Sequence, residues 1–113
     1  MKKIEAIIKP FKLSQVKEAL HELGISGMTL VDVKGFGRQR GSTGGMDTNA
    51  AYDDEFLAKM KLEVIIEDNQ VDEVIESIKS SAYSGKIGDG KIFVSNIEQV
   101  IRIRTGEKDS DAV

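Results

Sequence analysis

Apolar residues along the chain form two kinds of pattern, and each pattern predicts a different kind of element. Runs rich in β-branched residues predict strands over 3–9, 28–34, 61–67 and 91–94. Apolar residues recur every three or four positions over 13–23 and 71–82, with charged residues on the other side, which predicts two amphipathic helices. The order of elements is therefore β-α-β-β-α-β.

This order is typical of the ferredoxin-like α+β sandwich, in which both helices cover one face of the sheet. The predicted strands nevertheless carry apolar residues in both alternation phases, as in the neighbours Ile7 and Ile8 or Ile65 and Ile66. A second apolar face needs a cover, and the pattern leaves no further element to supply it. We therefore expect a closed homo-oligomer in which other copies cover that face.

A long loop over 36–58, about 23 residues, has neither a helical nor a strand period. Such a loop is either functional or a disordered insertion, and the clear strands on both sides favour function. Its glycines allow it to bend, and Arg38 and Arg40 near its start are separated from acidic residues near its end. Beyond it, 100–104 alternates and predicts a short added strand, while 106–113 is expected to be a fraying polar tail. We expect one domain over 1–113.

Composition excludes several classes of protein. The chain has no cysteine, which excludes a disulfide framework, a zinc-thiolate site and a cysteine nucleophile, and one histidine excludes a multi-histidine metal site. That histidine, His21, falls on the polar side of the first helix and is expected to be a surface residue. No apolar run approaches the ~18 residues of a membrane span and no secretory signal is evident, so we expect a soluble intracellular protein.

Glycines and a lysine over 85–91 partly match a phosphate-binding loop. Gly85, Gly90 and Lys91 satisfy most of the pattern GxxxxGK[ST], but Ile92 replaces the hydroxyl that holds Mg²⁺, and a strand follows instead of a helix. What remains is a turn whose backbone N–H groups can approach an anion, next to a lysine. From these residues alone, a plain turn and an anion site are equally good interpretations.

Arginines add local positive charge to a chain whose formal net charge is −3. Arg102 and Arg104 are two apart in an alternating segment, so their side chains can meet one anionic group, although a solvated strand edge would also explain them. Together with Lys91 and Arg38 they favour binding of a polyphosphate. A nucleic-acid partner is disfavoured, because there is no basic stripe and only 5% of residues are aromatic.

Three passages of the chain resemble the P-II family of nitrogen-regulatory signal proteins: 34–39 (KGFGRQ), 84–94 (SGKIGDGKIFV) and 100–107 (VIRIRTGE). The opening of the chain, 1–13, is similar as well, and the long loop is the main exception. The resemblance implies a ferredoxin-like fold, a closed homotrimer and signalling of nitrogen, carbon and energy status in the cytoplasm or an organelle stroma. It implies a regulator rather than an enzyme, so no catalytic residue is assigned.

The resemblance further implies that ATP or ADP binds in clefts between subunits. The matching nucleotide positions are Gly27, Met28, Thr29, Gly35, Phe36, Gly37, Arg38, Ile65, Gly88, Asp89, Gly90, Lys91, Arg102 and Arg104. Mg-ATP would allow 2-oxoglutarate to bind, with the side-chain oxygen of Gln39 on Mg²⁺ and Lys59 on the distal carboxylate. The implied 2-oxoglutarate positions are Gln39, Arg40, Gly41, Lys59, Ile87 and Gly88.

The implied mechanism is a switch in which ligand state sets the shape of loop 36–58 and so selects a partner. Family partners are the ammonium transporter, which gives a peripheral membrane contact, and enzymes of nitrogen assimilation. The loop tip departs from the usual YRG(A/S)EY pattern, because 47–52 reads DTNAAY, and Tyr52 is a candidate modification site without its usual context. Two alternatives therefore stay open: the same cleft with a different partner, and a small nucleotide-cleaving enzyme that uses Asp89.

Overall fold

The computed structural model describes residues 1–36 and 56–113. Its main elements are β1 (Lys2–Ile8), α1 (Leu13–Glu22), β2 (Thr29–Gly35), β3 (Leu57–Ile66), α2 (Val71–Ala82) and β4 (Lys91–Asn96). The strands pair antiparallel in the order β2-β3-β1-β4, so β1 and β3 are central. The predicted β-α-β-β-α-β order and the ferredoxin-like α+β sandwich are confirmed.

One face of the sheet is packed against both helices. Side chains in a strand alternate between faces, so every second residue of β1 and β3 points into this core, and the helices pack against each other above it. The core residues are Ile4, Ala6, Ile8, Val16, Leu20, Ile25, Leu62, Val64, Ile66, Val74, Ile78 and Ala82. Neither helix of the described residues is long and apolar enough to cross a bilayer.

The opposite face of the sheet carries a charged centre with apolar neighbours. Lys61 pairs with Glu5 at 3.6 Å and with Glu63 at 3.4 Å, and Lys3 pairs with Glu5 at 3.5 Å. The apolar residues in the same alternation phase are Ile7, Val31, Val33, Leu57, Ile65 and Phe93. The ring of Phe93 is half exposed, so this face is a mixed surface rather than a second sealed core.

The border between the long loop and β3 differs from the prediction. Leu57 and Ala58 were assigned to the loop, but they belong to β3 and pair with Gly35 and Lys34 of β2. The partner strand extends the ladder beyond the apolar run from which the strand was predicted. The rest of the predicted loop, residues 37–55, lies outside the described residues.

The prediction of an added strand over 100–104 is wrong. Within the described residues Ile101 forms an isolated bridge to Lys108, and a turn follows at 103–105. The N–H of Gly106 donates to the carbonyl of Arg102 at 2.8 Å, and Gly106 has a left-handed φ of +74°. Glycine makes this tight turn possible, and it overrides the alternation of apolar and basic residues.

The end of the chain, which was expected to fray, folds back onto this turn. The N–H of Asp109 donates to the carbonyl of Val100 at 2.8 Å, and the N–H of Val100 donates to the Asp109 carboxylate at 3.2 Å. Residues Asp109–Asp111 then form a short 3₁₀ turn. These bonds give 106–113 a defined path along the protein.

Candidate functional site

A cavity of about 650 Å³ opens at the end of the sheet where β2 stops and β4 begins. Its walls come from the last residues of β2, the early part of β3 and the turn before β4. We call it the turn cavity; its lining residues are Ile7, Gly35, Phe36, Lys59, Ile87, Gly88, Asp89, Gly90, Lys91 and Phe93. All except Ile7 and Phe93 are among the nucleotide or 2-oxoglutarate positions predicted from the resemblance.

The turn over 84–91 depends on glycine at its closest approach to β1. Gly85, Gly88 and Gly90 all have left-handed backbone angles, with φ of +81°, +98° and +100°. A Cβ on Gly90 would overlap the carbonyl oxygen of Ile7 and lie 2.8 Å from its carbonyl carbon. Because that obstacle is backbone of a central strand, no side chain fits at position 90, and the turn stays close to the sheet.

The Asp89 side chain holds this turn together from inside. Its Oδ2 accepts the N–H groups of Ser84 at 2.8 Å and Gly85 at 2.9 Å, and its Oδ1 accepts the Ser84 hydroxyl. The ammonium of Lys9 lies 3.3 Å from the same Oδ1. Burial raises the pKa of Asp89, but the hydrogen bonds from Ser84, Gly85 and Lys9 outweigh it and hold that pKa well below its usual range.

Lys59 contributes a buried positive charge to the cavity wall. It lies on β3, is 8% exposed, and its Nζ donates to the carbonyl of Gly88 at 2.6 Å. Burial lowers the pKa of Lys59, the nearby charge of Lys9 lowers it further, and Asp89 opposes both effects. The arrangement brings Lys59 and Gly88, two of the predicted 2-oxoglutarate positions, into direct contact.

Other predicted nucleotide positions lie at the opposite end of the sheet. Thr29 begins β2, whereas Gly35 ends it, so the two are roughly 20 Å apart along the strand. Ile65 lies near the same distant end, since it pairs with Lys3. Met28 lines a different cavity, of about 670 Å³, between α1 and β2, and Gly27 immediately precedes it. One copy of the chain therefore does not gather the whole predicted set.

Arg102 and Arg104 also lie away from the turn cavity. Both are exposed and belong to the segment 102–105 rather than to a strand, so strand alternation does not align them. The guanidinium of Arg102 donates to the carbonyl of Ala112 at 3.4 Å, which ties it to the end of the chain. In a single copy, these arginines are not part of the cavity around Lys59.

Comparison with known proteins places this geometry in a family. The model of the family described as nitrogen regulatory protein P-II matches residues 1–107. The chain belongs to the P-II family. Nitrogen regulatory proteins P-II of Azospirillum brasilense and Pasteurella multocida are 59% and 58% identical to it, each over 100% of both chains. A crystal structure of Arabidopsis thaliana PII bound to citrate matches 99% of this chain and 91% of that one, at 42% identity and a TM-score of 0.81.

Membership of the P-II family confirms the resemblance drawn from the sequence and supports a role in nitrogen regulation and signalling. The relatives are named as regulatory proteins, in keeping with a regulator rather than an enzyme. Several predicted site positions of this P-II protein fall outside the described residues: Gly37, Arg38, Gln39, Arg40, Gly41 and Tyr52.

Sequence reasoning missed the residues that support the turn from below. Ser84 carries a local signal, because a hydroxyl at the start of a glycine-rich turn and an aspartate near its end are typical of side chains that cap turns. Lys9 has no such signal, since its partners are 75 and 80 positions further along the chain. Ile7 and Phe93 lie in predicted strands, and the alternation of side chains along each strand places both of them toward the cavity.

The described residues suit an anion better than a bare metal ion. In ranges 1–36 and 56–113, there is no group of three or more His, Asp or Glu side chains arranged to hold a metal. The turn cavity instead combines Lys59, Lys91 and a glycine-rich backbone. Such a wall can accept phosphate or carboxylate oxygens.

Proposed function

We propose that this P-II protein senses ATP, ADP and 2-oxoglutarate in a cleft that includes the turn cavity, and that ligand state alters loop 36–58. The altered loop then changes how the protein engages an ammonium transporter and enzymes of nitrogen assimilation, in the cytoplasm or an organelle stroma. The observation that carries the proposal is the turn cavity itself, in which a buried lysine faces a glycine-rich turn.

The charges of the cavity support a ligand with several negative groups. Lys59 is shielded from water, so an anionic oxygen brought to its ammonium would interact more strongly than at an exposed lysine. Lys91 is exposed at the cavity wall and can contact a second anionic group. A nucleotide phosphate chain or a dicarboxylate offers the required charge.

A homotrimer would explain why the predicted nucleotide positions are divided between two ends of one chain. If subunits pack side by side, the Met28 and Ile65 end of one copy can lie beside the turn of the next, and the exposed arginines can reach across the same cleft. The mixed surface around Lys61, Glu5 and Phe93 would then be covered by other copies. This assembly is part of the proposal.

Mg²⁺ and 2-oxoglutarate would enter together with ATP. Gln39 would supply an amide oxygen to the metal, and the remaining ligands would be phosphate, keto and carboxylate oxygens, which a hard cation prefers. Lys59 would hold the distal carboxylate of 2-oxoglutarate after its ammonium is shared with, or released from, the carbonyl of Gly88. The citrate bound to the Arabidopsis thaliana relative is a carboxylate polyanion, which supports such a site.

Calorimetric titration tests the proposal. The protein should bind ATP alone, and it should bind 2-oxoglutarate only when Mg-ATP is present. Replacing Lys59 by Met should weaken the binding of 2-oxoglutarate by about tenfold to a hundredfold, the range for a charged hydrogen bond. The same change should have a smaller effect on the binding of ATP in the absence of 2-oxoglutarate. Lys2→Met is the matched control, because Lys2 pairs with Asp68 at the far end of β1. Absence of heat with every combination of ATP, Mg²⁺ and 2-oxoglutarate would overturn the proposal.

The two alternatives from the sequence can be tested as well. A nucleotide-cleaving enzyme would need a general base, and Asp89 is a weak one because its carboxylate is already bonded to Ser84, Gly85 and Lys9 and its pKa is low. The alternative of a regulator with a different partner rests on the unusual 47–52 sequence. Affinity capture in the presence of ATP plus 2-oxoglutarate, compared with capture in the presence of ADP, distinguishes this alternative from the main proposal. Recovery of a transporter or a nitrogen-assimilation enzyme in only one ligand state supports the main proposal.

A further inference from the structure

A polar cluster behind and in the wall of the turn cavity joins two segments that are far apart in sequence, the end of β1 and the turn over 84–91. We call Lys9, Ser84 and Asp89 the support cluster. The Lys9 ammonium donates to the Ser84 hydroxyl at 3.2 Å and pairs with Asp89 at 3.3 Å. The Ser84 hydroxyl in turn donates to Asp89 and accepts the N–H of Lys86 at 3.3 Å.

Burial places Lys9 behind the ligand-facing wall, to which Asp89 belongs. Lys9 is 6% exposed and does not line the turn cavity, whereas Asp89 and Lys59 do. It follows the last residue of β1, a central strand held by ladders on both sides. The ammonium therefore has a rigid base, and the turn over 84–91 has an anchor in the middle of the sheet.

We propose that Lys9 is a positioning residue of the ligand site: it holds Ser84 and Asp89 so that the turn presents Gly88 and Lys91 to the cavity. The link runs through specific bonds. Asp89 gathers the N–H groups of Ser84 and Gly85, so the start and the end of the turn are tied to one carboxylate. The carbonyl of Gly88, one residue before Asp89, then meets the ammonium of Lys59 at 2.6 Å.

Charge balance explains why a lysine serves at position 9. Asp89 faces both buried ammonium groups, since it pairs with Lys9 and its charge opposes the effect of burial on the pKa of Lys59. Removing the charge of Lys9 would leave the half-buried carboxylate with fewer donors, and removing the carboxylate would take away an attraction that offsets the repulsion between the Lys9 and Lys59 ammonium groups. The shape of the turn and the charge of the cavity wall thus both depend on the ion pair between Lys9 and Asp89.

Hydrogen exchange on the ligand-free protein tests the positioning role directly. Lys9→Met should speed exchange of the Ser84, Gly85 and Lys86 amides by about tenfold to a hundredfold, because a charged hydrogen bond behind their acceptors is lost. Lys9→Arg, which keeps the charge and several donors, should restore most of the protection. Amides of Leu62 and Val64 in β3 should stay protected in both variants, and Lys2→Met should leave the turn unchanged.

Ligand affinity gives the second measurement, and its meaning rests on the proposed function. Lys9→Met should weaken ATP binding by about tenfold or more and Lys9→Arg by clearly less, while Lys2→Met should bind as the unaltered protein does. If the unaltered protein binds no nucleotide, the proposed function fails, and the exchange result alone decides the inference. Unchanged exchange of the turn amides in Lys9→Met, or an arginine variant no better than the methionine variant, would overturn it.

A second pair of variants covers the case in which Lys9→Met does not fold. Ser84→Ala removes the hydroxyl that bonds Lys9, Asp89 and the N–H of Lys86, whereas Ser84→Thr keeps that hydroxyl. The alanine variant should show faster exchange at Gly85 and Lys86 and weaker ATP binding, and the threonine variant should resemble the unaltered protein. Equal behaviour of the two would overturn the inference.

Discussion

Two aspartates at opposite ends of β1 form ion pairs of very different character. At the start of the strand, Asp68 accepts the N-terminal ammonium at 2.9 Å and Lys2 at 3.2 Å, in an exposed position. Just beyond the other end, Asp89 meets Lys9 in a half-buried position and also accepts two backbone N–H groups. The first cluster forms around an exposed carboxylate, and the second joins the sheet to a turn.

The pKa values of the two carboxyls are both lowered, but for different reasons. The N-terminal ammonium and Lys2 lower the pKa of Asp68 through hydrogen bonds and charge in open solvent. At Asp89, burial raises the pKa, and donors from Ser84, Gly85 and Lys9 more than reverse that effect. An ion pair therefore stabilises this fold where it also satisfies backbone groups, and contributes little where it only adds charge at a surface.

The largest effect on the contrast between the two aspartates is expected from a change that prevents the turn from forming around Asp89. Gly90→Ala requires a strained left-handed backbone and places a methyl group against the carbonyl of Ile7, so we expect a loss of about 3 kcal/mol or more in the free energy of unfolding. Gly106→Ala is the matched control, with a similar φ of +74° and open space around the Cβ, and should cost about 1 kcal/mol. Chemical denaturation measures both; equal losses would contradict the close approach of the turn to β1.

Neutralising each aspartate should give stability losses of intermediate size and compares the two ion pairs directly. Asp89→Asn leaves Lys9 without its ion-pair partner and weakens two backbone hydrogen bonds, and should lower the free energy of unfolding by about 2 kcal/mol. Asp68→Asn acts at an exposed site and should change the unfolding midpoint only slightly. Thermal and urea unfolding of the two variants provide the measurement, and a larger loss at position 68 would show that the backbone bonds of Asp89 are unimportant.

Sequence patterns could predict the elements of this fold because the helices and strands differ in pattern. The strands stand out as short runs rich in β-branched residues, the helices as apolar residues at every third or fourth position, and both kinds of element pack on one core. The glycines at 85, 88 and 90 also marked a turn correctly, since their left-handed angles are a local requirement. The same local logic failed over 100–104, where a turn around Gly106 replaced the expected strand.

The candidate site was less predictable because its support is not local. Lys9 meets residues 75 and 80 positions away, and only the antiparallel pairing of β1 with β4 brings the end of one strand under the turn that precedes the other. Lys59 was assigned to a ligand by resemblance, but no spacing predicts its bond to Gly88. The family resemblance named most of the residues that line the cavity, and the sheet register determines which residues lie behind them.

Acid should reveal the smallest difference between the two aspartates. The pKa of Asp89 is lower in the folded protein than the ~3.9 of an unfolded aspartate, so its contribution is fully present above about pH 5 and is lost as the pH falls below about 4. The stability gap between the unaltered protein and Asp89→Asn should therefore shrink steadily from about pH 5 to about pH 2. The corresponding gap for Asp68→Asn should be smaller at every pH and should vanish in high salt, because exposed charges are screened. Urea unfolding across this pH range, with and without added salt, gives both curves. A stability gap for Asp89→Asn that stays constant down to pH 2 would show that the charge of the Asp89 carboxylate does not contribute to the free energy of unfolding.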